Sequence, residues 1–156
     1  MPSGFTSKIK SIDTLKASLE EAYAPMSVSI TLDDDIDISR GDMIVRSNNK
    51  PEASQDIELM LCWLHDKPAK PRAKYSIRHT TNEQKAMIKE IVYKYDINTL
   101  KRYTEDIQIE MNDICKIKIR TTKPLMIDSY RENRVTGSII LVDDNTNETV
   151  AAGMIV

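Results

Sequence analysis

From Cys115 to Arg120 the chain alternates without a break: Cys115, Ile117 and Ile119 are apolar, and Lys116, Lys118 and Arg120 are cationic. A helix would scatter these six side chains around its circumference. A strand sends successive side chains to opposite faces, so the segment predicts a strand with one face on a core and the other in water. Met26-Ser27-Val28-Ser29-Ile30-Thr31-Leu32 and Ile107-Gln108-Ile109-Glu110-Met111 alternate in the same way and predict two more. The runs 57–64 and 138–142, apolar except for Glu58 and Ser138, are short for helices and too apolar for surface strands, and predict strands buried on both faces. Asp143-Asp144-Asn145-Thr146-Asn147 supplies turn chemistry, so 138–142 and 149–156 form a closing hairpin. Strands at such short intervals predict an all-β chain of barrel or sandwich type with at most short helices.

Two segments do not fit one period. Leu15, Leu19, Ala22 and Tyr23 recur at helical spacing, predicting one or two helical turns that end before Pro25. Thr81-Asn82-Glu83-Gln84 fits a capping box, and Met87, Ile91 and Tyr95 recur every four residues, as in a helix. Met87, Lys89, Ile91, Tyr93 and Tyr95 also fit one face of a strand. Local rules leave both readings open.

A polar stretch at 48–55 marks a module boundary, dividing the chain into 1–50 and 51–156. Apolar residues make up 40% of the chain and charged ones 29%, enough to fold. A module of 50 residues is near the size at which a core stops supporting itself, so the first one reads as incomplete.

The glycine inventory excludes the common nucleotide loops. Gly4, Gly41, Gly137 and Gly153 lie too far apart for either phosphate-cradling spacing. His65 and His79 sit in loop-like sequence with no serine or cysteine elbow, so both read as structural histidines. Cys62 and Cys115, 53 positions apart, read as buried reduced thiols and fit neither a disulfide framework nor a zinc site. Asp33-Asp34-Asp35-Ile36-Asp37 begins like a calcium loop but has Ile38 where glycine is needed and Ile44 where glutamate is needed, so it reads as an acidic connection. Arg40-Gly41-Asp42 reads as a strand-entry turn. The formal charge of −2 offers no global field for nucleic acid or an anionic membrane. Without an apolar run of membrane-spanning length or a signal-peptide layout, a cytoplasmic location is expected. The one local basic patch, Lys67, Lys70, Arg72, Lys74 and Arg78 with Pro68 and Pro71, is an exposed hairpin loop or docks an acidic partner surface or RNA, with Lys67, Lys70, Arg72 and Lys74 the candidate partner contact.

The stretch Leu32-Asp33-Asp34-Asp35-Ile36-Asp37-Ile38-Ser39-Arg40-Gly41-Asp42-Met43-Ile44-Val45 resembles the end of the second domain of translation-factor GTPases, where an Arg-Gly-Asp turn feeds the closing strand. Residues 128–143, with Asn133, Arg134 and Gly137, and residues 146–155, with Gly153, resemble the large, GTP-binding subunits of bacterial sulfate adenylyltransferases. Tyr95-Asp96-Ile97-Asn98-Thr99-Leu100 and Met111-Asn112-Asp113-Ile114 are similar to them as well. The resemblance implies the later part of a second antiparallel barrel followed by a complete third barrel, and strand for 85–95. Pro2-Ser3-Gly4 resembles a mid-barrel turn, which makes Met1 a cut point. It also implies a GTPase domain upstream that holds GTP and Mg, with none of its contact residues here. Catalytic, cofactor-binding and metal residues are therefore expected to be absent from this chain. The implied partners are that GTPase domain and the small catalytic subunit that forms adenosine 5′-phosphosulfate; a fused adenylylsulfate kinase is left open. The unpaired edges of an incomplete barrel predict self-association through 1–50. A barrel pair that holds RNA is the alternative reading.

Overall fold

The computed structural model describes residues 4–70 and 72–156; Pro2 and Ser3 of the proposed mid-barrel turn, and Pro71 of the basic patch, lie outside the described residues. The chain divides into two compact units, one ending at Ser39 and the other Arg40–Val156.

The first unit is a three-stranded antiparallel sheet of β1 (Ile9–Asp13), β2 (Ser18–Leu19) and β3 (Ser29–Leu32), in the order β2-β1-β3. None of its described residues is buried. The alternation over 26–32 yields a strand only from Ser29, and its apolar face stays open, with Met26 37% and Ile30 39% exposed. The helix expected over 15–23 is absent. Leu15 is fully exposed, so a helix there has no core on which to lay its stripe. The Thr14 hydroxyl instead closes a turn, accepting from the Ala17 amide at 3.1 Å and donating to the Ala17 carbonyl at 2.8 Å.

The second unit is a closed antiparallel barrel. Its strands are β4 (Glu52–Trp63), β5 (Lys74–His79), β6 (Asn82–Tyr95), β8 (Ile114–Ile127), β9 (Ser138–Val142) and β10 (Thr149–Ile155). They run in the order β5-β9-β10-β4-β8-β6, and β6 closes back on β5; the two-residue β7 (Arg102–Tyr103) hangs on the end of β6. Closure removes the unpaired edges that an open sheet would expose. Leu59, Ile77, Cys115, Ile117 and Ile119 point inward and are 0% exposed, each burial stabilising by roughly 1.5–3 kcal/mol for the aliphatic chains.

Three expectations are corrected in this unit. The run 57–64 alternates rather than burying both faces: Ile57, Leu59, Leu61 and Trp63 are in the core, whereas Glu58, Met60 and Cys62 lie half-buried on the outer wall. The β9 run does the same, with Ile139 and Leu141 inside and Ile140 outside. A small barrel fills its interior from one side only, and the second apolar set is left on the outside. Residues 107–111 do not form a strand. They contribute one bridge, Ile109 to Ala69, before Asn112 takes a left-handed φ of 69° and the Asp113 carboxylate accepts from the Glu110 amide at 2.7 Å.

The segment 82–95 is strand, as the resemblance implied, but its faces are not those of simple alternation. Register shifts at Ile88/Glu90 and Ile91/Tyr93 each insert a residue, so Ala86, Ile88 and Ile91 pair with the core series while Glu90, Tyr93 and Tyr95 pair with outward residues of β8. β8 also runs further than the alternation showed, continuing through Pro124 to Ile127 by a corner at which Gln55 Nε2 donates to the Thr122 carbonyl at 3.0 Å. Ser54 and Asp56 flank that corner in the β4–β8 register.

Candidate docking surface

The basic loop between β4 and β5 is held from beneath. Trp63, 2% exposed, donates from Nε1 to the Lys67 carbonyl at 2.8 Å, and its ring meets Tyr75 edge-on at 5.7 Å. The Ala69 amide donates to Ile109 at 3.0 Å, and the Ala73 carbonyl accepts from Ile88 at 3.2 Å. Arg72 turns the chain with φ 60°. Lys67, Lys70, Arg72 and Lys74 are all exposed, and among the described residues no carboxylate pairs with any of them. These four cations thus stand unneutralised on a loop whose backbone is anchored to the core.

The outer wall over β4, β8 and β6 is different. Lys116 meets Glu58 at 2.6 Å, Lys118 meets Glu90 at 3.1 Å, and Arg120 and Lys89 meet Asp56 at 3.0 and 3.1 Å. These are cross-strand pairs on a solvated face, each of small net value. The hydrogen bond from Lys116 holds the Glu58 carboxyl below its ordinary range, and Lys85, then Ser76, do the same for Asp144. A lowered carboxylate pKa contributes stability that is complete above the unfolded value and lost as pH falls through the folded one. The thermal midpoint is therefore expected to fall below about pH 4. Glu58→Gln with Asp144→Asn should flatten that limb, as followed by circular dichroism between pH 5 and 3.

The segment 128–137 carries most of the signature residues and is cross-tied. The Gly137 amide donates to the Asn133 carbonyl at 2.8 Å, the Tyr130 amide donates to the Ile155 carbonyl at 2.9 Å, and the Ile155 amide donates to the Gly137 carbonyl at 2.8 Å. The Asn133 side chain accepts from Val135 at 3.0 Å, and Arg134 lies 6.0 Å over the Tyr130 ring. Gly153 sits in β10 against Leu61 and Met60. His79, read from sequence as a loop residue, is 2% exposed at the end of β5 and its Nε2 bonds the Thr136 carbonyl at 2.6 Å, fastening this segment to the barrel. Its position at the end of a strand that carries Tyr75 and Ile77 inward was the available signal. In the Arg40-Gly41-Asp42 turn, Gly41 has φ 100° and lies against Asn82; Met43 to Val45 beyond it enter no strand.

The other residues singled out for chemistry are dispersed. His65 bonds Glu148 at 3.2 Å on the surface, far in function from the buried His79. No group of His, Cys, Asp or Glu placed to hold a metal ion occurs among the described residues, and no helix is long and apolar enough to cross a membrane. Cys115 faces the core, and burial pushes its thiol up to about 12, whereas Cys62 is half-buried on the outer wall rather than in the core. Because the thiolate is the reactive form, an aromatic disulfide reagent should titrate one thiol in the folded protein and two in denaturant. Two fast thiols in the folded state would place Cys115 wrongly.

Comparison with known proteins fits this arrangement. A bifunctional enzyme CysN/CysC of Rhodopirellula baltica is 45% identical over 99% of this chain, and one of Mycobacterium tuberculosis is 42% identical over 99%. Sulfate adenylyltransferase subunit 1 of Sulfurovum sp. is 43% identical over 100%. The chain spans only 24%, 25% and 34% of those three proteins. In fold it matches a crystal structure of sup35 complexed with GDP, with a TM-score of 0.87 and 17% identity over 100% of this chain and 38% of that one. The family described as GTP-eEF1A C-terminal domain-like matches residues 56–156, the stretch that builds the closed barrel. The chain belongs to this family of translation-factor-type C-terminal barrels.

Proposed function

We propose that the chain is the barrel region of the GTP-binding subunit of a sulfate adenylyltransferase, and that it docks domains and subunits without performing chemistry. The observation that carries this reading is identity of 38–45% over essentially the whole chain to CysN/CysC enzymes and subunit 1 proteins. GTP and Mg would be held by the part of those longer polypeptides that this chain does not span. Its own four glycines offer no loop for phosphate. What these residues can supply is surface: an anchored basic loop, an ion-paired wall, and the cross-tied segment 128–137.

The basic loop is the proposed contact for the small catalytic subunit, because its four cations lack carboxylate partners of their own among the described residues and an acidic face would neutralise them. Reversal of Lys67, Lys70, Arg72 and Lys74 to glutamate is expected to abolish co-purification of the small subunit with the barrel-bearing subunit at 0.1 M salt. Undiminished co-purification would remove the loop from the proposal. Residues 4–39, with no buried residue, are the part that most needs the rest of a subunit. Where it is absent, strand exchange through 1–50 should give concentration-dependent sedimentation.

A further inference from the structure

The loop that carries the four unpaired cations begins at His65, whose ring meets three groups at once. Its Nδ1 accepts from the Lys67 amide at 2.9 Å, and the same nitrogen lies 2.8 Å from an Asp66 carboxylate oxygen. Its Nε2 lies 3.2 Å from the carboxylate of Glu148, the residue before β10. The ring thus joins the basic loop to the β9–β10 hairpin, beside the backbone bond from the Leu64 amide to the Val150 carbonyl at 2.8 Å.

Two of these contacts exclude each other. An imidazole nitrogen either offers a lone pair or carries a hydrogen. The Lys67 amide needs the lone pair, whereas the Asp66 carboxylate, an acceptor only, needs the hydrogen. Glu148 also only accepts, so Nε2 carries a hydrogen in both states and Nδ1 is the atom at which a proton is gained or lost. With Nδ1 bare, the Lys67 amide bond forms and Asp66, whose side chain is 78% exposed, is free to turn to water. With Nδ1 protonated, the imidazolium bridges Asp66 and Glu148 by charge-assisted bonds and Lys67 loses its acceptor.

The neighbouring charges are engaged elsewhere. Asp113, whose carbonyl accepts from the Trp63 amide, gives its carboxylate to Lys94 at 2.8 Å and to the Glu110 amide at 2.7 Å. Asp143 accepts from the Asn145 amide of its own turn at 2.7 Å. Among the described residues this leaves Asp66 and Glu148 as the carboxylates that face the ring, with the Lys67 side chain as the adjoining cation.

We infer that His65 is a proton-operated latch on the basic loop: the neutral ring pins the Lys67 amide, and the imidazolium releases it and adds a positive charge at the root of the loop. The consequence for binding rests on the proposal that this loop is a partner contact. An acidic partner is then held more tightly as pH falls toward 5.5, a range in which its own carboxylates stay ionised.

The test uses the full 156-residue chain and two readouts. Long-range proton–nitrogen NMR correlations of the His65 ring and the shift of the Lys67 amide proton are followed from pH 8 to 5.5. The expected result is an Nε2–H tautomer at pH 8 and, on acidification, a Lys67 amide that moves upfield in step with protonation of Nδ1. Asp66→Asn, which removes the carboxylate that the protonated ring bonds, moves both changes to lower pH. An Nδ1–H tautomer at pH 8, or a Lys67 amide that does not follow the ring, overturns the latch. In the second readout, titration calorimetry with a hexa-aspartate peptide is expected to show binding about fivefold tighter at pH 5.5 than at pH 7.5, the effect of one added surface charge. His65→Gln cannot take a second proton and should bind equally at both, with His79, the other histidine, retained as the internal control. Equal tightening in both proteins overturns control of the loop by His65. A latch seen by NMR with no peptide binding at either pH overturns the reading of the loop as an acidic-partner contact and leaves the latch standing.

Discussion

Gly137→Ala lowers the thermal midpoint of the barrel on the order of 10 °C, the equivalent of about 3 kcal/mol. A Cβ at this position would lie 2.4 Å from the Tyr130 Cα, 2.5 Å from its nitrogen and 2.8 Å from the Asn133 carbonyl oxygen. All three atoms are backbone, so no side chain can swing aside. The clash can be relieved only by opening 130–137, which breaks the Gly137–Asn133 bond and the two bonds that tie Tyr130 and Gly137 to Ile155. Gly153→Ala provides the comparison. There the nearest atoms are the Leu61 Cβ at 3.0 Å and the Met60 oxygen at 3.1 Å, so a shift of a few tenths of an ångström suffices and the cost is about 1 kcal/mol. Thermal melts followed at a β-sheet wavelength measure both. Equal effects of the two substitutions would mean that 128–137 is not held as described.

Trp63→Ala is the other large effect, about 3–5 kcal/mol, as expected for a fully buried aromatic ring. Trp63 ends β4, and its ring lies under the basic loop. Its loss removes core area, the edge contact with Tyr75 and the bond to Lys67 in one step. Two readouts separate these. Trp63→Phe retains most of the apolar contact but not the hydrogen bond and should cost about 1–2 kcal/mol. Trypsin should cut after Arg72 or Lys74 faster in either variant than in the unaltered chain, because the loop has lost its anchor. A Trp63→Phe protein with unchanged proteolysis would show that packing alone fixes the loop.

The barrel was legible in the sequence because one face of each strand is buried. Period two over 115–120 marks a strand whose inward residues, Cys115, Ile117 and Ile119, are all completely buried. The same rule misread 57–64 and 138–142, since apolar residues on the outer wall look from sequence like a second buried face. For β6 the periodicity was ambiguous for a physical reason. Two inserted residues break the alternation, and a strand with two bulges over fourteen residues drifts toward the spacing of a helix. The resemblance, rather than the pattern, identified it as strand.

The first unit misled in the opposite direction. Leu15, Leu19, Ala22 and Tyr23 are spaced for a helix, yet no core lies beneath them, and helical spacing without a surface to bury has little stabilising value. The basic loop was visible in composition. Its anchoring by Trp63 was not, because Trp63 Nε1 and the Lys67 carbonyl meet only through the path of the loop. The partner of His79 was likewise hidden, since it is a backbone carbonyl 57 positions away. The rows of the outer wall needed the registers, as no stretch of sequence reveals that Cys62, Ile114 and Tyr95 lie side by side.

The most direct measurement is activity of a hybrid in which residues 1–156 replace the matching third of the Sulfurovum sulfate adenylyltransferase subunit 1, paired with its own small subunit. If this chain is the docking barrel of such an enzyme, the hybrid forms adenosine 5′-phosphosulfate with GTP-dependent stimulation within about tenfold of the unaltered enzyme, a difference of roughly 1.4 kcal/mol in transition-state free energy. A hybrid that folds and binds GTP but neither holds the small subunit nor forms product would contradict the account.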